Sequence, residues 1–149
     1  MDPPAESEFL AAFREAFGEA NRAWNAGDMK SAYAALADDV DYRLANTWPS
    51  ARPLQGRREV VKFFQDLRAT FPDVRAELLE FIQVDEGTVV AGSRVVGSGV
   101  ASRAVAAMEI WQVWEMREEL VPFRVTEFLD RSAALTSAAL KEGAQKGSR

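Results

Sequence analysis

The stretch from Val74 to Leu129, VRAELLEFIQVDEGTVVAGSRVVGSGVASRAVAAMEIWQVWEMREELVPFRVTEFL, decides the fold. It is rich in β-branched and aromatic residues and carries few helix signals. Four strands are predicted within it: Val74 to Val84, Thr88 to about Gly99, Arg103 to Arg117 and Leu120 to Leu129. Glu86-Gly87 supplies the first turn. Short connections between long adjacent strands imply antiparallel pairing. Strands that follow one another without intervening helices make an α+β protein rather than a doubly wound α/β fold.

Working outward from this block, the preceding chain reads as helix, helix, short strand, helix. Phe9, Leu10, Phe13, Phe17, Ala20 and Trp24 recur at three- and four-residue spacing, with Ser7 as the cap and Asn25-Ala26-Gly27 as the stop. Asp28 caps a second helix carrying Met29, Ala32, Tyr33 and Leu36. Val40 to Leu44 alternates like a short strand, and Ala45 to Gly56, with Trp48-Pro49 in it, reads as a loop. Arg57 to Phe71 is a third helix, ended by Pro72. After the strands, Asp130 caps a last short helix through Ala133, Leu135 and Leu140, and the polar tail from Lys141 to Arg149 is expected to fray. One domain, residues 1–149 with a core of about 9–140, accounts for the chain.

Composition narrows the chemistry. The 149 residues include neither His nor Cys. That excludes disulfides, thiolate nucleophiles, zinc–thiolate sites and every catalytic scheme built on imidazole. Catalysis would have to use Asp, Glu, Tyr, Lys or Arg. A net charge of −5 argues against a nucleic-acid partner, which needs a basic surface. The acidic N-terminus lacks the apolar core of a signal peptide, and no run reaches the ~20 apolar residues of a membrane span; a cytoplasmic location is expected. Asp38, Asp39 and Asp41 are explained by helix-stop and turn chemistry rather than a cation site. No metal or cofactor is expected.

Period-two reading of the strands picks out the inward groups. Phe123, Val125, Glu127 and Leu129 share one face of the last strand, and a carboxylate in that apolar row is the informative residue. Met108, Ile110, Gln112 and Trp114 share one face of the third long strand. Trp111 and Val113 lie on the other, where apolar groups need a cover; a homodimer through that convex face is expected. Trp24, Trp48 and Trp114 are candidate pocket aromatics, with Trp48 as a lid over the mouth.

Several motifs are similar to those of NTF2-like proteins: Ala23-Trp24-Asn25-Ala26-Gly27-Asp28-Met29, Ala35-Leu36-Ala37-Asp38-Asp39-Val40, Gly56-Arg57-Arg58-Glu59-Val60 with Phe63-Phe64, Phe71-Pro72-Asp73, Trp111-Gln112-Val113-Trp114, and Glu127-Phe128-Leu129-Asp130-Arg131. In order and spacing they resemble most the SnoaL-like, polyketide cyclase-like group. The resemblance implies a cone: a curved antiparallel sheet with three helices on its concave side enclosing a pocket. It also allows tests of chemistry. The ketosteroid isomerase positions fall on Ala20, Leu44 and Gln112, none of which keeps its acid or phenol, so that activity is not expected. Limonene epoxide hydrolase positions fall on Tyr42, Leu44, Arg94, Val96 and Glu127, of which Tyr42, Arg94 and Glu127 keep a polar group. The SnoaL-like cyclases need one acid/base carboxylate, which Glu127 would supply.

These readings lead to one expectation and its rival. The chain binds a small, mainly apolar organic molecule, with Tyr42, Arg94, Gln112 and Glu127 as polar contacts and Trp114, Trp48, Trp24, Leu44, Ile110 and Val125 as further lining. As an enzyme it would be a cofactor-free isomerase, cyclase or hydrolase, with Glu127 as general base, Arg94 holding charge and Tyr42 donating. The rival is a non-catalytic ligand-binding or dimeric assembly module.

Overall fold

In a computed structural model of the chain, residues 6–48, 51–98, 105–117 and 120–147 are described. Pro49, the acidic N-terminal residues Met1 to Pro4, and the expected strand ends at Gly99 and Arg103 lie outside them. The elements run α1 (Glu8–Asn25), α2 (Met29–Ala32), β1 (Asp41–Arg43), β2 (Pro53–Gln55), α3 (Arg57–Thr70), β3 (Arg75–Asp85), β4 (Thr88–Ser98), β5 (Val105–Arg117), β6 (Val121–Phe128) and α4 (Arg131–Gly147). The architecture is α+β, with one six-stranded sheet in the order β2-β1-β6-β5-β4-β3. β3 to β6 form an antiparallel meander, and β1 joins β6 in parallel, Tyr42 opposite Val125.

Local chemistry sets the ends of the elements. The Ser7 hydroxyl accepts the Leu10 N–H at 3.0 Å and caps α1. Gly27, at φ +84°, turns the chain out of α1, a conformation other residues adopt at a cost. Asp28 then accepts the Ser31 N–H at 3.2 Å and starts α2, a single turn rather than the longer helix expected. Arg68, near the end of α3, donates to the carbonyls of Asn25, Pro72 and Val74 at 3.0, 2.8 and 2.5 Å, and its guanidinium lies 5.4 Å from the Trp24 ring centre. That one side chain gathers the end of α1, the end of α3 and the approach to β3. Asn25 and Asn21 both donate to the Ala76 carbonyl at 3.0 Å, fixing α1 against β3.

The sheet separates two cores. On the concave side, α1, α2 and α3 enclose Phe13, Trp24, Tyr33, Tyr42, Trp48 and Phe64 among others. On the convex side a smaller cluster joins Val90, Trp111 and Val113 to Ala134 and Ala138 of α4.

Three sequence expectations change here. β2 lies in the segment expected to be loop; three residues that include a proline carry too little pattern to announce an edge strand. α4 continues through Gly147 instead of ending near Leu140. Most consequentially, Trp111 is 5% and Val113 0% exposed, both covered by α4. The convex face does need a cover, and the chain's own last helix provides it, so a dimer through Trp111 and Val113 would first have to displace α4. The three aspartates of the suspected cluster point to different partners: Asp38 to Arg57, Asp39 to Arg117, Asp41 to Arg43 and Arg124.

Candidate functional site

Glu127 organises the concave side. It is 6% exposed, on β6, and the hydrogen-bond partners it has among the described residues are all neutral groups. Four donors converge on its carboxylate. Tyr42 Oη and Gln112 Nε2 reach Oε2 at 2.8 and 2.7 Å; the Ala45 N–H and Trp48 Nε1 reach Oε1 at 3.1 and 2.7 Å. A carboxylate offers about four lone-pair directions, so this one is filled. Gln112 Nε2 also donates to Tyr42 Oη at 3.0 Å. The orientation of the Gln112 amide is fixed by Trp114, whose indole N–H donates to Gln112 Oε1 at 2.9 Å. An indole nitrogen only donates, so the other end of the amide must face Glu127.

Three of the four groups around Glu127 can only donate, and Tyr42 is the single one able to accept as well. Such a shell suits an ionised carboxylate. Burial acts in the opposite sense and is the larger influence: it raises the Glu127 pKa above the usual 4.5, against the hydrogen bonds from Gln112, Ala45, Tyr42 and Trp48, which lower it. Burial first, and the charge of Glu127 second, push the Tyr33 and Tyr42 hydroxyls well above their ordinary range.

Next to this cluster lies a cavity of about 80 Å³. Its walls come from α1 (Phe17, Ala20, Asn21, Trp24), the α2 region (Ala32, Tyr33), Tyr42, Trp48, Phe64, Ala76, and the inward residues of β4 to β6, namely Ser93, Val95, Ile110, Gln112, Trp114 and Glu127. Adjacent rings stand nearly at right angles: Phe17–Trp114 at 82°, Tyr33–Tyr42 at 87° and Trp48–Phe64 at 89°. The walls therefore face the space from several sides.

Of the residues singled out from sequence, Glu127, Tyr42, Gln112, Trp114, Trp48, Trp24 and Ile110 line this cavity. Arg94 does not. Ala91, Ser93 and Val95 face inward, so Arg94 faces out and is exposed, with Glu77 and Glu109 opposite it on the neighbouring strands. A match placed one residue off turns a side chain to the other side of a sheet. Leu44 and Val125 are not lining residues either. Leu44 lies just beyond the end of β1, and Val125, fully buried, sits in register with Tyr42 and Trp114, whose larger side chains share its core. Trp48 is no outer lid: it is 4% exposed with its indole bound to Glu127. Sequence reasoning missed Asn21, Tyr33, Ser93 and Ala76 as lining. Ser93 was within reach, because it lies two residues from both Ala91 and Val95 on one face of β4.

The six-stranded sheet and the helices on its concave side, holding a lined cavity, make an NTF2-like fold with an interior site, and no helix among the described residues is long and apolar enough to cross a membrane. The family profile of the SnoaL-like domain matches residues 17–121, and the chain belongs to that family. No curated protein matches the sequence. Solved structures resemble it in fold. A protein assigned as a SnoaL-like polyketide cyclase from a Jannaschia species is 15% identical, with 91% of this chain and 97% of that one covered and a TM-score of 0.67. An NTF2-like protein of unknown function from Burkholderia pseudomallei is 21% identical over 88% and 97% of the two chains, TM-score 0.65. A protein with a ketosteroid isomerase-like fold from Catenulispora acidiphila, in complex with trimethylamine, is 13% identical over 84% and 92%, TM-score 0.67.

Proposed function

We propose that the chain holds a small, mainly apolar organic molecule in the cone, with Glu127, Tyr42 and Gln112 forming the polar end of its site. The observation that carries this reading is the cavity of about 80 Å³ left between large aromatic side chains. A core this rich in Trp and Phe has the bulk to close such a gap. A gap of this volume would cost about 2 kcal/mol at ~24 cal/mol per Å³ if it were closed and dry. The size also limits the occupant. A dry cavity of about 150 Å³ takes benzene, so the part of the occupant held inside this one is smaller than benzene, and a larger molecule would extend through its open side. The neighbour that holds trimethylamine supports a small occupant on this fold. The reading invokes no cofactor and places the protein in the cytoplasm. A dimer through Trp111 and Val113 is not part of it.

Ala20 lines the cavity and supplies none of the four hydrogen bonds to Glu127. Titration of small apolar molecules, followed by tryptophan fluorescence, should saturate in the natural protein and lose the signal in Ala20→Leu, with the urea midpoint little changed. Equal binding by both proteins would move the site elsewhere.

One observation favours a catalytic version of the same reading: Glu127 lines the cavity and its pKa is raised. With every lone pair engaged, Glu127 receives a substrate proton only through Tyr42, the one donor that also accepts. The Tyr42 hydroxyl takes the substrate proton while passing its own to Glu127 Oε2. Arg94 has no part in this scheme. Tyr42→Phe tests the relay by removing turnover, read as a loss of kcat at saturating substrate so that any weaker binding does not enter; turnover that survives it would sink the relay.

A further inference from the structure

Resting on the reading of the cavity as a binding site, we propose that its occupant is a small organic ammonium ion, an apolar body with a positive charge. The argument is one of charge and wall chemistry. Among the described residues Glu127 is the only charged side chain lining the cavity, and no Lys or Arg lines it. The groups that bond the carboxylate are all neutral: a phenol, an indole, an amide and a backbone N–H. Their dipoles hold the carboxylate in place but leave a net negative charge at one end of the cavity. Three of them have no way to accept a proton, so the arrangement is complete with Glu127 ionised. A buried charge without a counter-charge is expensive unless something supplies one.

The remaining walls are suited to supplying the rest of the recognition. Phe17, Trp24, Tyr33, Phe64 and Trp114 line the space with aromatic rings, Phe17 meeting Trp114 at 82° and Trp24 meeting Phe64 at 66°, while Tyr33 stacks on Phe64 at 23°. Ring faces carry negative potential and attract cations, most strongly where water is excluded; cages of such rings recognise alkylammonium groups. Trp24 already shows this behaviour, with the Arg68 guanidinium 5.4 Å from its ring centre and Arg68 outside the cavity lining. An alkylammonium ion combines the methyl groups that an apolar cage requires with the charge that Glu127 lacks. A carboxylate or phosphate would meet Glu127 with the wrong sign. A neutral hydrocarbon would fill the volume and leave the charge uncompensated. Scaling from the benzene-sized case, the space itself holds about three non-hydrogen atoms, and because the cavity is partly open the remaining methyl groups of a larger ammonium head extend toward its mouth.

The experiment compares two molecules of nearly equal size, tetramethylammonium and tert-butanol, titrated into the full chain by isothermal calorimetry or tryptophan fluorescence. The expected result is tetramethylammonium binding about tenfold more tightly or better, with both ligands lost in Ala20→Leu. Equal affinity for the two would overturn the ammonium assignment while leaving the binding site standing. No binding of either would overturn both. Glu127→Gln, checked for folding by circular dichroism, should lower the preference for the cation; a preference that is undiminished in a folded variant would show that the carboxylate is not its source, and would overturn the assignment to this site. The comparison on the unaltered protein decides the matter even where the variant fails to fold.

Discussion

The two faces of one sheet each bury a tryptophan beside a glutamate, and they use the pair differently. On the convex face the Trp111 indole donates to Glu109 Oε1 at 3.1 Å, two residues away on the same strand. Its ring lies over Gly92, where a Cβ would overlap the ring carbons. Ala134 and Ala138 of α4 close the remaining space, and Arg131 holds the helix start to Glu80 with two hydrogen bonds of 2.9 and 3.1 Å. Small residues are placed wherever the large ring needs room. On the concave face the Trp48 indole donates to Glu127, a residue far away in sequence, and large rings meet at steep angles around a gap. On the convex face the space over the small residues is filled by the ring they face; on the concave face Ala20, Ala32, Ala76 and Ser93 line the cavity with the rings and a space is left between. The first face is built to be finished by the chain, the second to be finished by something else.

The contrast can be broken most severely at Glu127. Glu127→Leu leaves Trp48 Nε1, the Ala45 N–H, Gln112 Nε2 and the Tyr42 hydroxyl without their acceptor. At ~1–3 kcal/mol for each stranded buried group, relieved in part by water entering the cavity, we expect a loss of about 4 kcal/mol in urea unfolding. A loss below 1 kcal/mol would mean the cluster contributes little to the concave side. Next comes Gly92→Ala on the closed face. The added methyl must push the Trp111 ring against α4, and overpacking of this kind costs about 2 kcal/mol. If the variant matches the natural protein in its thermal midpoint, the convex face is looser than its contacts indicate. Tyr42→Phe should have the smallest effect on stability, about 1 kcal/mol, since Glu127 keeps three donors. A loss as large as that of Glu127→Leu would mean the phenol, and not the carboxylate, holds the cluster together.

The sheet was legible because its strands are long and alternate, and the helices because Phe and Trp recur at helical spacing. β2 and the full length of α4 were not. One has three residues, and the other turns to the sheet a face of alanines that looks like ordinary polar helix. Glu127 was legible as an inward carboxylate from its neighbours Phe123 and Val125 alone. Arg94 was misplaced because it came from a family match rather than from the alternation of Ala91, Ser93 and Val95 around it. What no strand pattern announces is the convergence on Glu127, since Ala45 and Trp48 belong to irregular chain and Gln112 to a different strand. Whether an inward acid is free or fully bonded depends on those distant groups.

That convergence bears on the order in which the molecule assembles. The bonds from Tyr42, Ala45 and Trp48 to Glu127 join residues 85, 82 and 79 positions apart, and the parallel pairing of β1 with β6 closes the same long loop. Contacts of such separation are slow to form, because the entropy of closing the loop is lost before the contact rewards it. Helices and the β3–β6 meander are local and can form without them. The interior site therefore exists only in chains that have finished folding, and a truncated or half-folded chain has helices and hairpins but nowhere to hold a ligand.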